Sequence, residues 1–544
     1  MSAYRFFSLK SPLLLASSVL ASFFILTAAS ASDVLTNRND NSRSGVVSDE
    51  TALTPANVGR LKILFQKNVN GQVYAQPLCV SNQLVFRHGF SQGNHDVVIV
   101  ATEHGSVYTF DAVTGALYWQ VSLLSPGFTF IHPAKDPNIL CFTRQEPDDC
   151  ITATPVIDRQ AGTNGRIFVV AVETDGKGHY DYKLHALDLA TGQDALTPAV
   201  VAASVTGNGP ATTFPPATQR SRAGLLLSGG VIYIAFASYC DNPPYAGWLI
   251  GYKESDLSQV AVFSDNPNGS PASTFLPDGS GGGIWQGGLG PAADLTGLIY
   301  LATGNGPFDE TLTTAGFPSN QDFGDSVLKL ATNNGLNVSD YFTPFDELND
   351  AENDHDVGSG GVVLLPPIFD TSGGAHNLAV TAGKDGNLFL LDRNNFGKFN
   401  PSANNVYQEI PGAVGAHGFT AAAFIQNSLY ISGQITPIKR FVFDFTNPNK
   451  PVLNPTPAAQ TVQHGFGFPG CTPAISSNSG LRVIVWAYEN ARMHAVLHAY
   501  DPVSLKELFN SGTQLPVGIV FAVPTVFSGK VYVGTSTSVV AFGL

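Results

Sequence analysis

Short apolar strands joined by glycine turns recur along this chain, and they constrain its fold more than any other feature. The clearest copy spans residues 97–119, VVIVATEHGSVYTFDAVTGALYW. Apolar runs and alternating polar and apolar side chains predict strands, and Gly105 and Gly115 supply the positive φ that tight turns need. This copy therefore predicts a meander of three antiparallel strands, at 97–101, 106–111 and 116–120.

Seven further copies of the meander follow, at a spacing of roughly 40 to 75 residues, which is typical of propellers and repeat arrays. Helical periodicity is nearly absent, and a solenoid would show shorter and more even periods. We therefore predict an all-β fold, an eight-bladed β-propeller with four strands in each blade. The later copies begin near Thr154, Gly230, Gly297, Asn377, Asn427, Leu481 and Gly529.

The two ends of the chain predict how the ring closes. The eighth copy ends at Leu544 after its third strand, whereas residues 61–69 (LKILFQKNV) form a strand without a copy of its own. We expect this N-terminal strand to complete the last blade, which leaves only short edge strands and makes residues 32–544 one domain. Several long insertions should cover the same face of the ring. They lie at 122–150, 194–218, 264–283, 304–323, 343–357 and 445–465.

Composition narrows the possible partners. The formal net charge is −14 and charged residues make up only 13% of the chain, while Gly and Pro number 55 and 35. A nucleic-acid partner is not expected, because binding phosphates requires a basic face. The apolar, weakly charged and turn-rich composition favours a folded all-β chain over a disordered one.

The N-terminus predicts export. Arg5 and Lys10 precede an apolar stretch at 13–29, and Ala29-Ser30-Ala31 fits the small-residue cleavage rule. Residues 1–31 are therefore predicted to be a signal peptide cleaved near Ala31, with an uncleaved anchor as the alternative. The mature protein would be secreted or periplasmic, without a transmembrane segment.

Export permits disulfides, and the chain has five cysteines. Cys141 and Cys150 flank an acidic loop and are the expected pair, although either could instead pair with Cys240. The odd number leaves at least one free thiol. No C-x-x-C-H haem attachment motif is present, so a redox enzyme of this sequence would need a separate electron acceptor. The other cysteines are Cys79 and Cys471.

The centre of the chain departs most from the repeat. A glycine-rich run at 281–290 surrounds Trp285, Asn305 lies between two glycines, DHD occupies 354–356, and GKDG occupies 383–386. Taken alone, each has a structural explanation. Glycine runs permit close strand approach, and Asn-Gly and Asp-Gly pairs are common in turns.

The repeats resemble those of pyrroloquinoline quinone (PQQ) dehydrogenases over nearly all of residues 33–544. The resemblance is closest to secreted PQQ-like repeat proteins, whose activity is mostly unassigned. It implies an eight-bladed propeller with the quinone in the funnel at the ring axis. The segments that carry the closer match are QVYAQP (72–77), VATEH (100–104), 281–290, ATGNG (302–306), GKDG (383–386) and VYVGT (531–535).

The resemblance also implies roles for four residues. Trp285 corresponds to the tryptophan beneath the quinone, and Asn305 and Asp356 to ligands of Ca²⁺, which prefers hard oxygen donors. Asp356 also corresponds to the base that takes the alcohol proton. Lys384, 28 residues after Asp356, corresponds to the basic residue that contacts the quinone oxygens.

Two features of those dehydrogenases are missing. The chain has no adjacent Cys-Cys pair, and no glutamate is evident at the metal ligand position in the third blade, where Asp241 follows Cys240 in a different context. Because one fold serves many functions, three interpretations stay open. They are an exported dehydrogenase acting on an alcohol or sugar, a non-catalytic propeller that binds a protein or glycan, and a hydrolase or lyase using Asp354, His355, His417 or His464.

Glu103 and His104 lie in the first turn of the clearest copy, where an acid–base pair could serve catalysis. Lys384 and Asp385 occupy the same turn of the fifth copy. We therefore interpret Glu103 and His104 as one of eight equivalent hairpin positions. Convergence of Trp285, Asn305, Asp356 and Lys384 on one axial pocket is the geometric test of the dehydrogenase interpretation.

Overall fold

Each copy of the repeat folds into an antiparallel four-stranded sheet, and eight such sheets form the blades of a propeller in the computed structural model. This confirms the predicted all-β, eight-bladed fold. Among the residues described, no helix combines the length and apolar character needed to cross a bilayer. Residues 2–31 of the predicted signal peptide lie outside the description. The structure describes Met1 and residues 32–139, 141, 147–208, 211–268, 279–415, 417–462, 465–491 and 493–544.

The first four blades follow one another along the chain, each ordered from its inner to its outer strand. In blade 3, Gln219–Arg220 also pairs with the second strand. Blade 1 has Leu78–Arg87, Phe90–Ala101, Ser106–Asp111 and Leu117–Ser122; blade 2 has Val156–Asp158, Arg166–Thr174, Tyr180–Asp188 and Ala199–Val200; blade 3 has Leu226–Ser228, Val231–Ser238, Trp248–Lys253 and Gln259–Ser264; blade 4 has Ala292–Ala293, Ile299–Ala302, Val327–Ala331 and Asn337–Phe342.

Blades 5 to 8 continue the ring, and the outer position of blade 6 is shared by two short strands. Blade 5 has Val363–Leu364, Leu378–Ala382, Leu388–Asp392 and Gln408–Ile410; blade 6 has Ala423–Ile425, Ser428–Ile431, Lys439–Asp444 and then Val452–Leu453 with Ala459–Gln460; blade 7 has Ala474–Asn478, Leu481–Asn490, Ala495–Tyr500 and Glu507–Asn510; blade 8 has Thr525–Phe527, Lys530–Gly534, Ser538–Gly543 and Lys62–Asn68.

A few short elements lie outside the blades. Two short hairpins lie outside the blade sheets, and one strand pairs in parallel with the inner strand of blade 7. These elements are the strands Val46–Val47, Ser204–Val205, Thr212–Thr213, Ile368–Phe369 and Ala375–His376, the α-helix Glu347–Asn353, and the 3₁₀ turns Val58–Arg60, Gln286–Gly288 and Val357–Ser359.

The core lies between neighbouring blades rather than at one centre. Both faces of a blade are covered, so the second and third strands are buried on both sides and read as nearly continuous apolar runs. In blade 1, for example, Val98 pairs with Phe110 and both are buried. Burial of this kind contributes about 25 cal/mol per Å² of apolar surface, which makes packing between blades the main source of stability.

The N-terminal strand closes the ring as predicted. Lys62–Asn68 pairs antiparallel with Ser538–Gly543, and Phe65 lies opposite Ala541. The last blade is therefore built from both ends of the described chain, which leaves no long unpaired edge at the junction.

A second N-terminal feature was not predicted from the sequence. Residues 34–50, here called the N-terminal clasp, hydrogen bond to all eight blades. The bonds join Val34 to Cys79, Leu35 to Ile157, Asn41 to Leu227 and to Ala293, Ser42 to Leu364, Arg38 to Ala422, Gly45 to Ile475 and Glu50 to Gly529.

The antiparallel order of each blade decides which loops can meet. Turns between the second and third strands, and connections from one blade to the next, must emerge at the same face of the ring. The insertion at 304–323 is of the first kind and the one at 343–357 is of the second. The topology thus confirms that several insertions share one face, and the candidate site is built there.

Candidate cofactor-binding and active site

The four residues predicted from the resemblance line one cavity of about 260 Å³. Trp285 lies in the connection from blade 3 to blade 4, and Asp356 in the connection from blade 4 to blade 5. Asn305 follows the second strand of blade 4, and Lys384 lies in the turn after the second strand of blade 5. The predicted convergence is therefore observed.

Glycines allow these loops to approach each other so closely. A Cβ on Gly304 would lie 3.3 Å from Trp285 Nε1, and a Cβ on Gly358 would collide with the carbonyl oxygen of Thr303. Close backbone approach is the structural explanation for such glycine runs. Here it is also what brings Trp285 and Asp356 together.

Asp356 lies at the centre of the site and is 1% exposed. Trp285 Nε1 donates to its Oδ2 at 3.3 Å, and Lys384 Nζ lies 2.7 Å from its Oδ1. Burial raises the pKa of the Asp356 carboxyl; Lys384 opposes this rise, and the negative charges of Asp354 and Asp241 add to it. The carboxylate is thus a stronger base than an ordinary surface aspartate.

Lys384 joins the carboxylates to the aromatic side of the cavity. Its Nζ contacts both Asp354 Oδ1 and Asp356 Oδ1, and it lies 5.1 Å from the ring centroid of Trp285. Burial lowers the pKa of this lysine, but the two aspartates outweigh it and the net pKa is raised. Lys384 is therefore a permanent cation in the cavity.

Asn305 has a side-chain oxygen without a partner among the described residues. Its Nδ2 donates to Asp354 Oδ1 at 2.8 Å, whereas its buried Oδ1 accepts no hydrogen bond from any described residue. A buried polar atom without a partner costs about 1–3 kcal/mol, and such an atom in a cavity indicates a ligand.

Several cavity residues were not predicted from the sequence. Tyr245 donates its hydroxyl to Asp241 Oδ1 at 3.1 Å, and the guanidinium of Arg222 lies 4.9 Å from the ring centroid of Phe521. Asp241 lies near the position of the metal-ligand glutamate that the sequence lacks, but its sequence context did not favour a metal-binding role. The structure places Asp241 in the cavity wall. Arg222 and Phe521 belong to no motif that would have identified them.

The expected Cys141–Cys150 pairing is wrong. Cys141 bonds to Cys240, 99 residues away, and both cysteines line the cavity beside Asp241. Cys150 is instead buried in the apolar core around blades 1 and 2. Cys79, Cys150 and Cys471 are free and buried.

We expect loss of this disulfide to destabilise the protein. Cross-linking a loop of this length contributes about 2–4 kcal/mol. The double variant Cys141→Ser/Cys240→Ser should unfold at a lower urea concentration than the wild type, and dithiothreitol should shift only the wild type. An unfolding curve that dithiothreitol leaves unchanged in both proteins would contradict this prediction.

The described residues of the hydrolase interpretation do not converge in this cavity. Asp354 lines the cavity with a side chain that is 64% exposed, but neither His355 nor His417 lines it. The two histidine rings lie 6.2 Å apart. His464 lies outside the described residues. The described lining of the cavity therefore supplies no histidine to activate a nucleophile at Asp356.

Glu103 and His104 have structural partners, in agreement with their interpretation as a hairpin position. Glu103 is buried, accepts from Thr152 Oγ1 at 3.0 Å, and pairs with Arg220 at 3.5 Å. His104 lies 2.9 Å from Asp148 and stacks on Phe130.

The helix Glu347–Asn353, next to Asp354, carries two buried acids. Burial, followed by the charges of Glu310 and Asp346, raises the pKa of Glu347 to about 8, and burial followed by Asp346 raises that of Asp350 to about 8. In the unfolded chain the two carboxyls have their ordinary pKa values of 4.5 for Glu347 and 3.8 for Asp350. Between these values and pH 8, the folded state therefore binds more protons than the unfolded state.

Stability should consequently fall as the pH rises from about 5 to 8. Glu347→Gln should raise stability at pH 8 and flatten this dependence, because the neutral amide has no proton to lose. Glu352→Gln, on the exposed side of the same helix, serves as the control. Urea unfolding at several pH values measures both effects, and an equal slope in all three proteins would contradict the prediction.

Comparison with known proteins supports the fold but does not show which reaction the site performs. No family model matches the chain, and no curated protein sequence is significantly similar to it. Solved structures with a similar fold include quinohemoprotein alcohol dehydrogenases and a methanol dehydrogenase, and at 13–16% identity they show the propeller fold alone.

Three of these structures span almost the whole ring. The quinohemoprotein alcohol dehydrogenase of Pseudomonas putida HK5 superposes with a TM-score of 0.60 at 14% identity, and that of Comamonas testosteroni with 0.59 at 16%; each comparison covers 94% of this chain and 80% of the other. A europium-containing methanol dehydrogenase gives 0.59 at 13% identity, covering 94% of this chain and 98% of the other.

Proposed function

We propose that this protein is an exported quinoprotein oxidoreductase that oxidises a small alcohol or sugar, with PQQ and Ca²⁺ held in the cavity. The observation that carries the proposal is the convergence of Trp285, Asn305, Asp356 and Lys384 on one cavity. Three solved dehydrogenases with the same fold make this chemistry the first to test.

The cavity suits a flat, anionic ligand. Trp285 and Phe521 supply aromatic surface, and their rings meet edge to face at 6.3 Å. Lys384 supplies a permanent cation beside Trp285, and Arg222 supplies a guanidinium on the side of Phe521. Planar aromatic carboxylates bind well where stacking surfaces and cations are combined.

The oxygen donors suit a hard cation. Among the described residues, no group of three or more His, Cys, Asp or Glu side chains could hold a metal ion. The amide oxygen of Asn305 and the carboxylate of Asp356 would therefore hold Ca²⁺ together with oxygens of the bound ligand, since Ca²⁺ takes six to eight of them. Asp241 offers a further carboxylate in the cavity wall.

Asp356 is proposed as the base that removes the hydroxyl proton of the alcohol. Its raised pKa makes it a better proton acceptor, and Lys384 and Trp285 hold both carboxylate oxygens in position. When bound, the quinone would supply the two-electron oxidant and the cation a Lewis acid. A separate carrier would then collect the electrons.

Export is part of the proposal. The signal sequence predicted at 1–31 and the Cys141–Cys240 disulfide both fit an oxidising compartment, such as the periplasm. Disulfides are uncommon in the cytosol because thiol reductants remove them.

Calorimetric titration of the purified protein with PQQ tests the proposal, in buffers containing Ca²⁺, Eu³⁺ or a chelator. We expect saturable binding that requires a cation, followed by dye reduction with primary alcohols or sugars. No binding under any of these conditions would overturn the proposal and favour a non-catalytic scaffold for a protein or glycan.

A matched pair of variants locates the binding. Lys384 and Lys398 both lie over aromatic rings, but only Lys384 lines the cavity. Lys384→Met should weaken PQQ binding at least tenfold, whereas Lys398→Met should leave it unchanged. Equal effects of the two variants would show that PQQ binds elsewhere.

A further inference from the structure

A second, smaller cavity adjoins the first. Its volume is about 30 Å³, and Arg222 and Phe521 line both cavities. The N-terminal clasp contributes Asn37 and Arg38 to its wall. A polar space of this size holds one small ion or a water molecule.

The charge of this second cavity is opposite to that of the whole protein. Two arginines, Arg38 and Arg222, line it, and none of its described lining residues is acidic, although the chain carries a net charge of −14. The carboxylates of Glu103 and Asp149 accept from Thr152 at its edge, but both are paired with Arg220.

Arg38 is a buried cation without a paired carboxylate. It is 1% exposed, and no ion pair involving it is found among the described residues. Its two terminal nitrogens donate to the carbonyl oxygens of Pro473 and Ala422. Burial, opposed by the charge of Asp40, lowers the pKa of this guanidinium to about 10, so it remains charged at neutral pH.

One donor of Arg38 has no acceptor among the described residues. The buried Nε donates to no backbone or side-chain oxygen of the described residues. An unsatisfied donor on a buried charge is costly, and the cost is removed when a ligand accepts its hydrogen bond. The neighbouring Thr154 hydroxyl and the amide of Gln76 provide further polar atoms in the same wall.

We propose that this cavity binds a single halide-sized anion, such as chloride, between Arg38 and Arg222. A water molecule could accept the hydrogen bond from Nε, but it would leave the buried positive charge unbalanced, whereas an anion does both. The volume admits a monatomic anion and excludes a larger organic one. The anion would join the N-terminal clasp to the wall of the main cavity, and this site does not depend on the proposed function.

Thermal unfolding of the full chain, without quinone, tests the proposal. In sodium chloride we expect a saturable rise in Tm of about 2 °C relative to sodium gluconate of equal ionic strength and pH, because ligand binding to the folded state raises its stability. The large gluconate anion does not fit the cavity. A Tm that is equal in the two salts would overturn the proposal.

Two buried arginines of the clasp provide a matched comparison. Arg38→Gln should abolish the chloride effect. Arg43→Gln should lower the Tm in both salts but keep the chloride effect, because Arg43 does not line this cavity. An equal chloride effect in Arg38→Gln would overturn the assignment.

A second measurement decides the matter if Arg38→Gln does not fold. Wild-type crystals grown or soaked in sodium bromide, with diffraction recorded at the bromine absorption edge, should show an anomalous peak between Arg38 and Arg222. A cavity without such a peak at high bromide concentration would overturn the proposal.

Discussion

Replacing Asp356 with asparagine should reduce alcohol-dependent dye reduction by about a thousandfold, the range in which general bases contribute to catalysis. The amide cannot accept the hydroxyl proton, but it keeps an oxygen at the same place for a cation. PQQ affinity, measured by calorimetry, should therefore fall much less than the turnover rate. This difference separates a catalytic base from a residue that only holds the cofactor.

The pH dependence gives a second readout of the same residue. The pKa of Asp356 is raised by burial, so the basic form accumulates only as the pH rises through that raised value. The wild-type rate should increase as the pH rises through the pKa of Asp356, and the residual rate of Asp356→Asn should not. Lys384 adds no ionisation there, because its pKa is raised above the usual value for lysine.

Asp354 supplies the control for this experiment. It also contacts Lys384, and it accepts from Asn305, but its side chain is largely exposed. Asp354→Asn should lower the rate less than tenfold, because the neighbouring base remains. Comparable losses in both variants would assign the effect to the charge of Lys384 and its partners rather than to a base at Asp356.

The repeat predicted the ring because its signal is local. Each turn and each pair of neighbouring strands is encoded within about twenty residues, and the orphan strand 61–69 could be matched to the blade that lacked one. The convergence of Trp285 and Asp356 was predicted from the resemblance. The close packing of their loops requires glycine at several positions, and only the three-dimensional structure shows why a Cβ would not fit there.

Long-range pairing explains what the sequence could not predict. The short spacing of Cys141 and Cys150 favoured the wrong disulfide. Cys240 lies beside Cys141 because of how two blades are arranged, and the sequence alone does not show that arrangement. The N-terminal clasp has no hydrophobic period. Its segment TNRNDNSRSG (36–45) is typical of an exposed loop. It is buried because its partners are backbone groups at the inner strands of the blades.

Replacing Arg43 with alanine should lower the free energy of unfolding by about 4 kcal/mol. The Arg43 side chain is fully buried, and its guanidinium donates to Pro291 O at 2.9 Å, to Leu225 O at 3.1 Å, and to Thr36 Oγ1 and Asn37 O at 2.8 Å. Truncation leaves these acceptors without a donor, at about 1 kcal/mol or more for each. The arginine therefore joins blades 3 and 4 through the clasp.

Urea unfolding of Arg43→Ala and Arg60→Ala measures this contribution, and the half-life at elevated temperature replaces it if unfolding is irreversible. Arg60 is exposed in the 3₁₀ turn after the clasp, so its removal should change stability by less than about 0.5 kcal/mol. If the two variants unfold alike, the clasp is a passive filling of the ring centre. If only Arg43→Ala is destabilised, the ring is closed twice: by the strand Lys62–Asn68 at its outer edge, and by the clasp at its centre.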